Sequence, residues 1–166
     1  MSWEYDFLVM LQGMRGPLLD VIMKFLSTLG DPKFRKIGLE MAVSMAITYV
    51  IGNLILKKVV DRSRPCDNMD YKAIIDSLIV ARPHDASFPS GHSMNGFSAS
   101  VALLCNDKRL GIVAVILATL IAFSRLYNFM HFPTDVLVGI ALGTIIALLV
   151  HRVFQKSIWN RKKQDV

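Results

Sequence analysis

The stretch Ser-Arg-Leu-Tyr-Asn-Phe-Met-His-Phe-Pro-Thr-Asp, residues 124–135, separates two long apolar segments and concentrates charge between them. Pro133 suits the first position of a helix, where its missing N–H costs nothing. His131 then lies just before that helix, and Asp135 lies in its first turn, near the positive end of the helix dipole. This spacing lets the Asp135 carboxylate hold one imidazole nitrogen while the other stays free to act as a nucleophile. Arg125 adds a permanent cation, so the stretch predicts a phosphate-handling histidine at the mouth of a helix bundle.

The composition is that of an integral membrane protein. Of the 166 residues, 53% are hydrophobic, and long segments carry almost no charge. The net charge of +6 comes from basic residues at the ends of these segments, which speaks against a nucleic-acid partner and favours anionic lipids and phosphorylated substrates. The start of the chain, Met-Ser-Trp-Glu-Tyr-Asp, is acidic where a cleavable signal peptide is basic, so we expect no such signal.

Helical periodicity predicts an all-α, polytopic membrane helix bundle of about five spanning helices plus short interfacial helices. Two amphipathic helices occupy residues 1–30, of which 18–29 is either a short span or an interfacial helix. Four further spans are predicted at 37–56, 90–105, 110–126 and 134–154. The whole chain, residues 1–166, is predicted to be one membrane-embedded domain, with its core at about 37–154 and a basic cytoplasmic tail at 155–166.

The distribution of basic residues predicts how these spans are oriented. Basic clusters at 33–36, at 108–109 and after the last span belong in the cytoplasm by the positive-inside rule. The segments 57–65, 89–92 and 124–135 then lie together on the extracytoplasmic face. If the second N-terminal helix does not cross, the count of spans turns this face toward the cytoplasm instead. In either case three polar, cationic segments converge.

The other two segments carry residues typical of an anion site. Lys57 and Arg64 are two helical turns apart, which places both cations on one face, and Pro65 ends the element. Ser90 is a good N-cap, and Gly91 permits close approach of the backbone. A helix that starts there offers free N–H groups to an anion.

Five other charged or titratable residues are not assigned to the anion site. Lys58 and Arg62 are interpreted as the positive flanks of a span. Arg82 and His84 are interpreted as loop residues, and His151 as an interfacial residue at the cytoplasmic end of the last span.

Together, Lys-x6-Arg-Pro, Pro-Ser-Gly-His and Ser-Arg-x5-His-x3-Asp closely resemble the signature of the type 2 phosphatidic acid phosphatase family, over about residues 37–154. That family also contains undecaprenyl pyrophosphate phosphatases, glucose-6-phosphatase and the soluble vanadium haloperoxidases, and its members usually have six membrane helices. The resemblance implies His131 as the nucleophile, Asp135 as its partner and His92 as the general acid. It implies neither a metal nor another cofactor. The residues that it implies for holding the phosphate oxygens are Lys57, Arg64, Ser90, Gly91 and Arg125.

The resemblance also implies a reaction in two steps. A neutral His131 attacks phosphorus in line and forms a phosphohistidine intermediate, while Asp135 stabilises the imidazolium that develops. Protonated His92 gives a proton to the leaving oxygen and then, as a base, activates water. Two arginines and a lysine stabilise the charge of the transferred group without a metal. Because one histidine must be neutral and the other charged, the pH dependence of activity should be bell-shaped.

Undecaprenyl pyrophosphate is the first substrate that we expect, because small chains of this pattern resemble bacterial enzymes that recycle lipid carriers. Phosphatidylglycerophosphate and phosphatidic acid are the alternatives, since the motifs contact only phosphate. A vanadate-dependent haloperoxidase and a non-catalytic lipid-binding protein are the rival functions. Uninterrupted apolar spans speak against the haloperoxidase, and the complete set of two histidines, one aspartate and the cations speaks against the non-catalytic protein. The sequence leaves the oligomeric state open.

Overall fold

The computed structural model describes the backbone of residues 2–164 and, within it, the side chains of residues 3–28, 30–32 and 34–157. Besides α-helices, the chain forms a π-helical segment, Val50–Leu56, and two short 3₁₀ turns, Pro65–Asp67 and Met69–Tyr71. The predicted all-α class is confirmed, with no strand within the described backbone. The end of the predicted basic tail lies outside the described residues. The α-helices are Ser2–Gln12 (α1), Pro17–Leu29 (α2), Pro32–Tyr49 (α3), Lys57–Val60 (α4), Lys72–Asp76 (α5), Gly91–Asn106 (α6), Lys108–Tyr127 (α7) and Pro133–Gln164 (α8).

The chain divides after Lys36 into two compact units. In the first unit, Pro17 starts α2 at a position that tolerates proline, and Arg15 pairs with Asp20 at 3.2 Å. Large apolar side chains of α1 and α2 are exposed within this unit, which is typical of helices at a membrane interface. The 13 residues of α2 are about 20 Å long at 1.5 Å per residue, against roughly 30 Å for a hydrocarbon core. Its length favours the interfacial alternative.

Within the part of the chain that the structure describes, three helices are long and apolar enough to cross a membrane: Phe34–Val60, Lys108–Tyr127 and Pro133–Ser157. They correspond to three of the predicted spans. A fourth predicted span is α6, which has 16 residues and packs against both α7 and α8. The predicted polytopic helix bundle is confirmed, although α2 and α6 are shorter than the other three helices. Apolar side chains on α7 that are exposed in the structure form a surface suited to lipid, among them Ile112, Ile116, Leu120 and Phe123.

Glycines let α8 approach α6 closely. A Cβ at Gly143 would lie 2.2 Å from the Met94 carbonyl oxygen, and one at Gly139 would lie 2.8 Å from the Ser90 carbonyl oxygen. The two glycines are four residues apart and share one face of α8, the spacing that brings membrane helices together. The Ser90 N–H also donates to the Asp135 carbonyl at 3.1 Å. These contacts fix the start of α6, which carries His92, against the start of α8, which follows His131.

Polar side chains also join helices inside the second unit. Glu40 of α3 is fully buried, and one of its oxygens lies 2.8 Å from Nδ1 of His151 on α8. Two turns further along α3, Thr48 donates to the side-chain oxygen of Asn95 on α6 at 2.6 Å. Such contacts help to hold membrane helices together, because in apolar lipid no hydrophobic driving force favours their association. His151, expected from the sequence to be an interfacial residue, is therefore also a contact between two helices.

Candidate active site

A cavity of about 430 Å³ lies where α4 ends, α6 begins and the chain passes from α7 to α8. The predicted convergence of three cationic segments at one end of the bundle is confirmed. Two of the predicted site residues, Ser90 and Asp135, lie behind the cavity wall and are fully buried. The other six predicted site residues line the cavity: Lys57, Arg64, Gly91, His92, Arg125 and His131.

The π-helical segment Val50–Leu56 shapes one wall of this cavity. Such segments are rare and are frequent at functional sites, and this one immediately precedes Lys57. Asn53 belongs to it and lines the cavity with a buried side-chain oxygen that has no hydrogen-bond partner in the described part of the chain. A Cβ at Gly91 would lie 3.1 Å from that oxygen. Gly91 therefore lets the start of α6 lie close to Asn53, as its motif predicts.

Arg64 is 4% exposed, and each of its five N–H groups has an acceptor. Nε donates to the Asp85 carbonyl at 2.8 Å, and Nη2 donates to the Asp85 carboxylate at 2.7 Å and to the Ala86 carbonyl at 3.3 Å. Nη1 donates to the Met130 carbonyl at 2.9 Å and lies 3.2 Å from Nε2 of His131. The guanidinium thus joins the loop before α6 to the loop before α8.

His131 is 6% exposed, and its environment favours the neutral imidazole. Burial and the neighbouring Arg64 cation lower the pKa of His131 to about 4. Because Nε2 accepts from Arg64, we assign the ring proton to Nδ1. Nδ1 lies 3.4 Å from the Ser87 hydroxyl and 3.7 Å from the nearer Asp135 oxygen. The carboxylate is thus at ion-pair distance from the ring, with Ser87 beside both groups.

Asp135 is completely buried and accepts several hydrogen bonds. Oδ2 accepts from the Ser87 hydroxyl at 2.5 Å and from the Phe132 N–H at 2.9 Å, and Oδ1 accepts from Arg62 at 2.7 Å. Arg62 also donates to the Thr134 hydroxyl and lies over the Phe132 ring. The interpretation of Arg62 as a mere flank of a span is wrong, because this cation balances the charge of a buried carboxylate.

His92 lies in the first turn of α6 and is exposed within the cavity. Partial burial and the cations Arg125, Lys57 and Arg64 lower the pKa of His92. The empty cavity therefore favours neutral His92 at pH 7. A bound phosphate group would offset these cations and favour protonation of the ring, which a general acid needs.

Ser90 and Arg125 complete the predicted set. The Ser90 hydroxyl accepts from the N–H and the hydroxyl of Ser93, so the predicted N-cap is confirmed. This oxygen is buried under the first turn of α6 and does not reach the cavity, so the structure does not bring it to the position of a phosphate contact. Arg125 donates from Nε and Nη2 to Ser124 and lines the cavity, without a carboxylate partner among the described side chains.

The sequence does not predict four residues that complete the site: Asn53, Arg62, Asp85 and Ser87. For Asp85 and Ser87, the available signal is their position within five residues of the Ser90 N-cap, in a loop without helical periodicity. No group of three or more histidine, cysteine, aspartate or glutamate side chains arranged to hold a metal ion occurs in the described ranges.

Membrane-length helices with a cationic, two-histidine cavity at one end define the class of this chain as an integral membrane protein. The chain belongs to the PAP2 superfamily, whose model matches residues 37–159.

Individual relatives agree with this family. The chain is 36% identical over 118 residues to an undecaprenyl-diphosphatase of Sulfolobus acidocaldarius, a match that covers 69% of this chain and 54% of the relative. It is 32% identical over 134 residues to a decaprenylphosphoryl-5-phosphoribose phosphatase of Mycobacterium tuberculosis, covering 80% of this chain and 70% of that protein. The crystal structure of a transmembrane PAP2-type phosphatidylglycerolphosphate phosphatase from Bacillus subtilis superposes with a TM-score of 0.56 at 27% identity, covering 86% of this chain and 80% of that one. The chain spans about half the length of the first of these relatives.

Proposed function

We propose that this chain is a metal-independent membrane hydrolase that removes a phosphoryl group from a lipid phosphomonoester or diphosphate through a phosphohistidine intermediate. The observation that carries the proposal is the cavity that His131 shares with Lys57, Arg64 and Arg125, where burial and Arg64 lower the pKa of His131 and favour its neutral form. A neutral imidazole beside fixed cations meets the needs of nucleophilic attack on an anionic phosphorus. The names of the relatives, all phosphatases, support this class of reaction.

In the first step, Nε2 of His131 forms a bond to phosphorus while the bond from phosphorus to the leaving oxygen breaks. His92, protonated when phosphate is bound, gives its proton to that oxygen. Positive charge develops on the His131 ring, and the Asp135 carboxylate at 3.7 Å stabilises it. Ser87 orients this carboxylate through its hydrogen bond, and Arg62 balances its charge.

In the second step, His92 is neutral and takes a proton from water as the water oxygen attacks phosphorus. The bond between His131 and phosphorus breaks, neutral imidazole is restored, and inorganic phosphate is formed. In both steps the developing charge on the equatorial oxygens is stabilised by Lys57, Arg64 and Arg125.

A second cavity, of about 370 Å³, shares His131 with the first and supports a lipid as the substrate. Its walls are mostly apolar and include Tyr71, Leu126, Phe129 and Phe132, a lining suited to the chain of a lipid whose phosphate lies among the cations. Because two relatives are named for polyprenyl-linked substrates, we propose undecaprenyl pyrophosphate, converted to undecaprenyl phosphate. Phosphatidylglycerophosphate, after which the solved structure is named, and phosphatidic acid are the alternatives.

The positions of the cavity residues support a catalytic core in one part of the chain. They lie between Asn53 and His131, all within the second compact unit. We therefore place the catalytic core at about residues 37–154, with membrane-interface helices at 1–30 and a basic cytoplasmic tail at 155–166.

Phosphate release in detergent tests this function. With EDTA present, the purified chain should release phosphate from undecaprenyl pyrophosphate, with a kcat/KM about tenfold or more above that for phosphatidylglycerophosphate and phosphatidic acid. A preference for either phospholipid would change the substrate and leave the reaction class intact. Release from none of the three lipids would contradict the function, and complete loss of release in EDTA would contradict metal independence.

We also propose that the site faces the outside of a cell membrane. The length of α2 favours a helix that does not cross, but the basic residues at 33–36 and 108–109 flank the opposite ends of the spanning helices, and this criterion does not depend on α2. Ile79 is 80% exposed in the loop before α6, and Arg109 is exposed at the start of α7. In intact cells an impermeant thiol reagent should label Ile79→Cys and should label Arg109→Cys only after permeabilisation. The parent chain is the blank, because its free Cys66 is fully buried and its free Cys105 is partly buried. The reverse pattern would place the site in the cytoplasm.

A further inference from the structure

Asp85 places a carboxylate inside the cavity, between two of the cations that the proposed function assigns to phosphate. Oδ1 accepts from Nη2 of Arg64 at 2.7 Å, and Oδ2 pairs with Nζ of Lys57. The side chains of Arg64 and Lys57 are 3% and 12% exposed, whereas that of Asp85 is 56% exposed. The two carboxylate oxygens thus contact the cations from the open side of the cavity, as two oxygens of a phosphate group would.

The hydrogen bonds of Arg64 show which contact a ligand can replace. Its N–H groups are all engaged, three of them with the carbonyl oxygens of Asp85, Ala86 and Met130, and one with Nε2 of His131. Loss of any of the three carbonyl contacts would leave a group of the surrounding structure without its partner, and the contact with Nε2 opens only when that nitrogen attacks phosphorus. The fifth contact is to the Asp85 carboxylate, which water can solvate when it leaves. A phosphate oxygen therefore binds Arg64 most readily by replacing this carboxylate.

The Asp85 side chain can leave while its backbone stays in place. The Asp85 carbonyl is held by Nε of Arg64 at 2.8 Å, and two residues later the Ser87 N–H donates to the Arg62 carbonyl at 2.8 Å. Rotation of the exposed side chain to another staggered rotamer is thus enough to free Arg64 and Lys57 without opening the loop.

We propose that Asp85 is a built-in competitor of phosphate, which occupies Lys57 and Arg64 in the empty site, gives way to a lipid diphosphate, and returns to displace inorganic phosphate. This inference rests on the proposed function. A diphosphate carries more negative charge than a phosphomonoester and compensates better for the two lost ion pairs, so Asp85 favours diphosphates. Partial burial alone would raise the pKa of Asp85, but hydrogen bonds and charge from Lys57 and Arg64 outweigh it and lower that pKa, so the competitor stays ionised at neutral pH.

Asp85→Asn keeps the shape of the side chain and removes its charge. In calorimetric titrations of the full chain in detergent, this variant should bind inorganic phosphate and orthovanadate about tenfold more tightly than the wild type. Its ratio of kcat/KM for undecaprenyl pyrophosphate over phosphatidic acid should fall by about the same factor. Asp85→Glu should restore the wild-type anion affinity. Asp76→Asn is the matched control, since it removes an exposed carboxylate of α5 that does not line the cavity, and it should change neither quantity.

Unchanged or weaker binding of both anions by Asp85→Asn would overturn the proposal, and Asp85 would then only position Lys57 and Arg64. An unchanged preference between diphosphate and monophosphate lipids would overturn its role in selectivity. A wild-type chain that releases no phosphate from any lipid would instead refute the proposed function. Binding of phosphate and orthovanadate is measured without turnover. Failure of this inference can therefore be distinguished from failure of the proposed function.

Discussion

Replacement of His131 by alanine should abolish phosphate release, with a loss of at least about 10⁴-fold in kcat. The variant lacks the nitrogen that bonds to phosphorus, whereas Lys57, Arg64 and Arg125 remain to bind the lipid phosphate, so substrate affinity should change little. The wild type, quenched during turnover of undecaprenyl pyrophosphate, should carry phosphate in an acid-labile linkage typical of phosphohistidine. Single-turnover phosphate release and detection of this phosphoenzyme measure both parts of the prediction.

His84→Ala is the matched control for this variant. His84 is exposed in the loop before α6 and does not line the cavity, so its removal should leave kcat within about twofold of the wild type. If His131→Ala still formed the acid-labile phosphoenzyme, or kept more than a few per cent of the wild-type rate, His131 would not be the nucleophile.

The sequence predicts the positions of the candidate histidines and cations well because each motif lies at the end of an apolar segment. Successive membrane helices run in opposite directions, so alternate ends meet at one face, and counting segments is enough to bring Lys57, His92 and His131 together. The short turn between α7 and α8 likewise follows from Pro133 as a helix start. These features depend on chain order and hydropathy, both of which the sequence displays directly.

The sequence does not directly show contacts that depend on the rotation of a helix or on the path of a loop. Where most faces of a helix are apolar, periodicity does not say which face meets a neighbour, so the pairing of Glu40 with His151 could not be foreseen. The π-helical segment changes the angular register before Lys57 and turns Asn53 into the cavity. Asp85 lies in a polar loop whose path no periodicity determines, and its two ion pairs emerge only from the folded chain.

Arg62 and Ser90 also show that a position in the sequence does not determine what a side chain contacts. A basic residue after a membrane helix is typical of a lipid-facing flank, yet Arg62 turns inward because the buried Asp135 carboxylate needs a countercharge. Ser90 belongs to a motif whose resemblance implies a phosphate contact, yet its hydroxyl satisfies the first turn of α6. A motif or a position beside a span thus does not state what either side chain contacts.

Replacement of His92 by alanine should slow the second chemical step more than the first when the leaving group is itself a phosphate. A lipid monophosphate leaves as a stable anion and needs little help from an acid, whereas attack by water still needs a base. We therefore expect steady-state phosphate release from undecaprenyl pyrophosphate to fall about 10²–10⁴-fold while phosphoenzyme accumulates on His131. With phosphatidic acid, whose leaving oxygen requires a proton, formation of the phosphoenzyme should itself become slow, so that none accumulates. Quenched-flow measurement of the phosphoenzyme with each lipid separates the two steps.

The pH dependence of kcat/KM for phosphatidic acid, whose leaving oxygen requires a proton, tests the same assignment independently. Burial and the cations Arg125, Lys57 and Arg64 lower the pKa of His92 from 6.5, and a general acid acts only when protonated, so wild-type activity should fall as the pH rises through a value below 6.5. Activity should also fall on the acid side, as His131, with a pKa of about 4, takes up a proton and loses its lone pair. In His92→Ala the basic limb should disappear and the acid limb should remain. A limb caused by ionisation of the substrate would appear with both enzymes. A basic limb that persisted unchanged in His92→Ala would therefore show that His92 is not the acid.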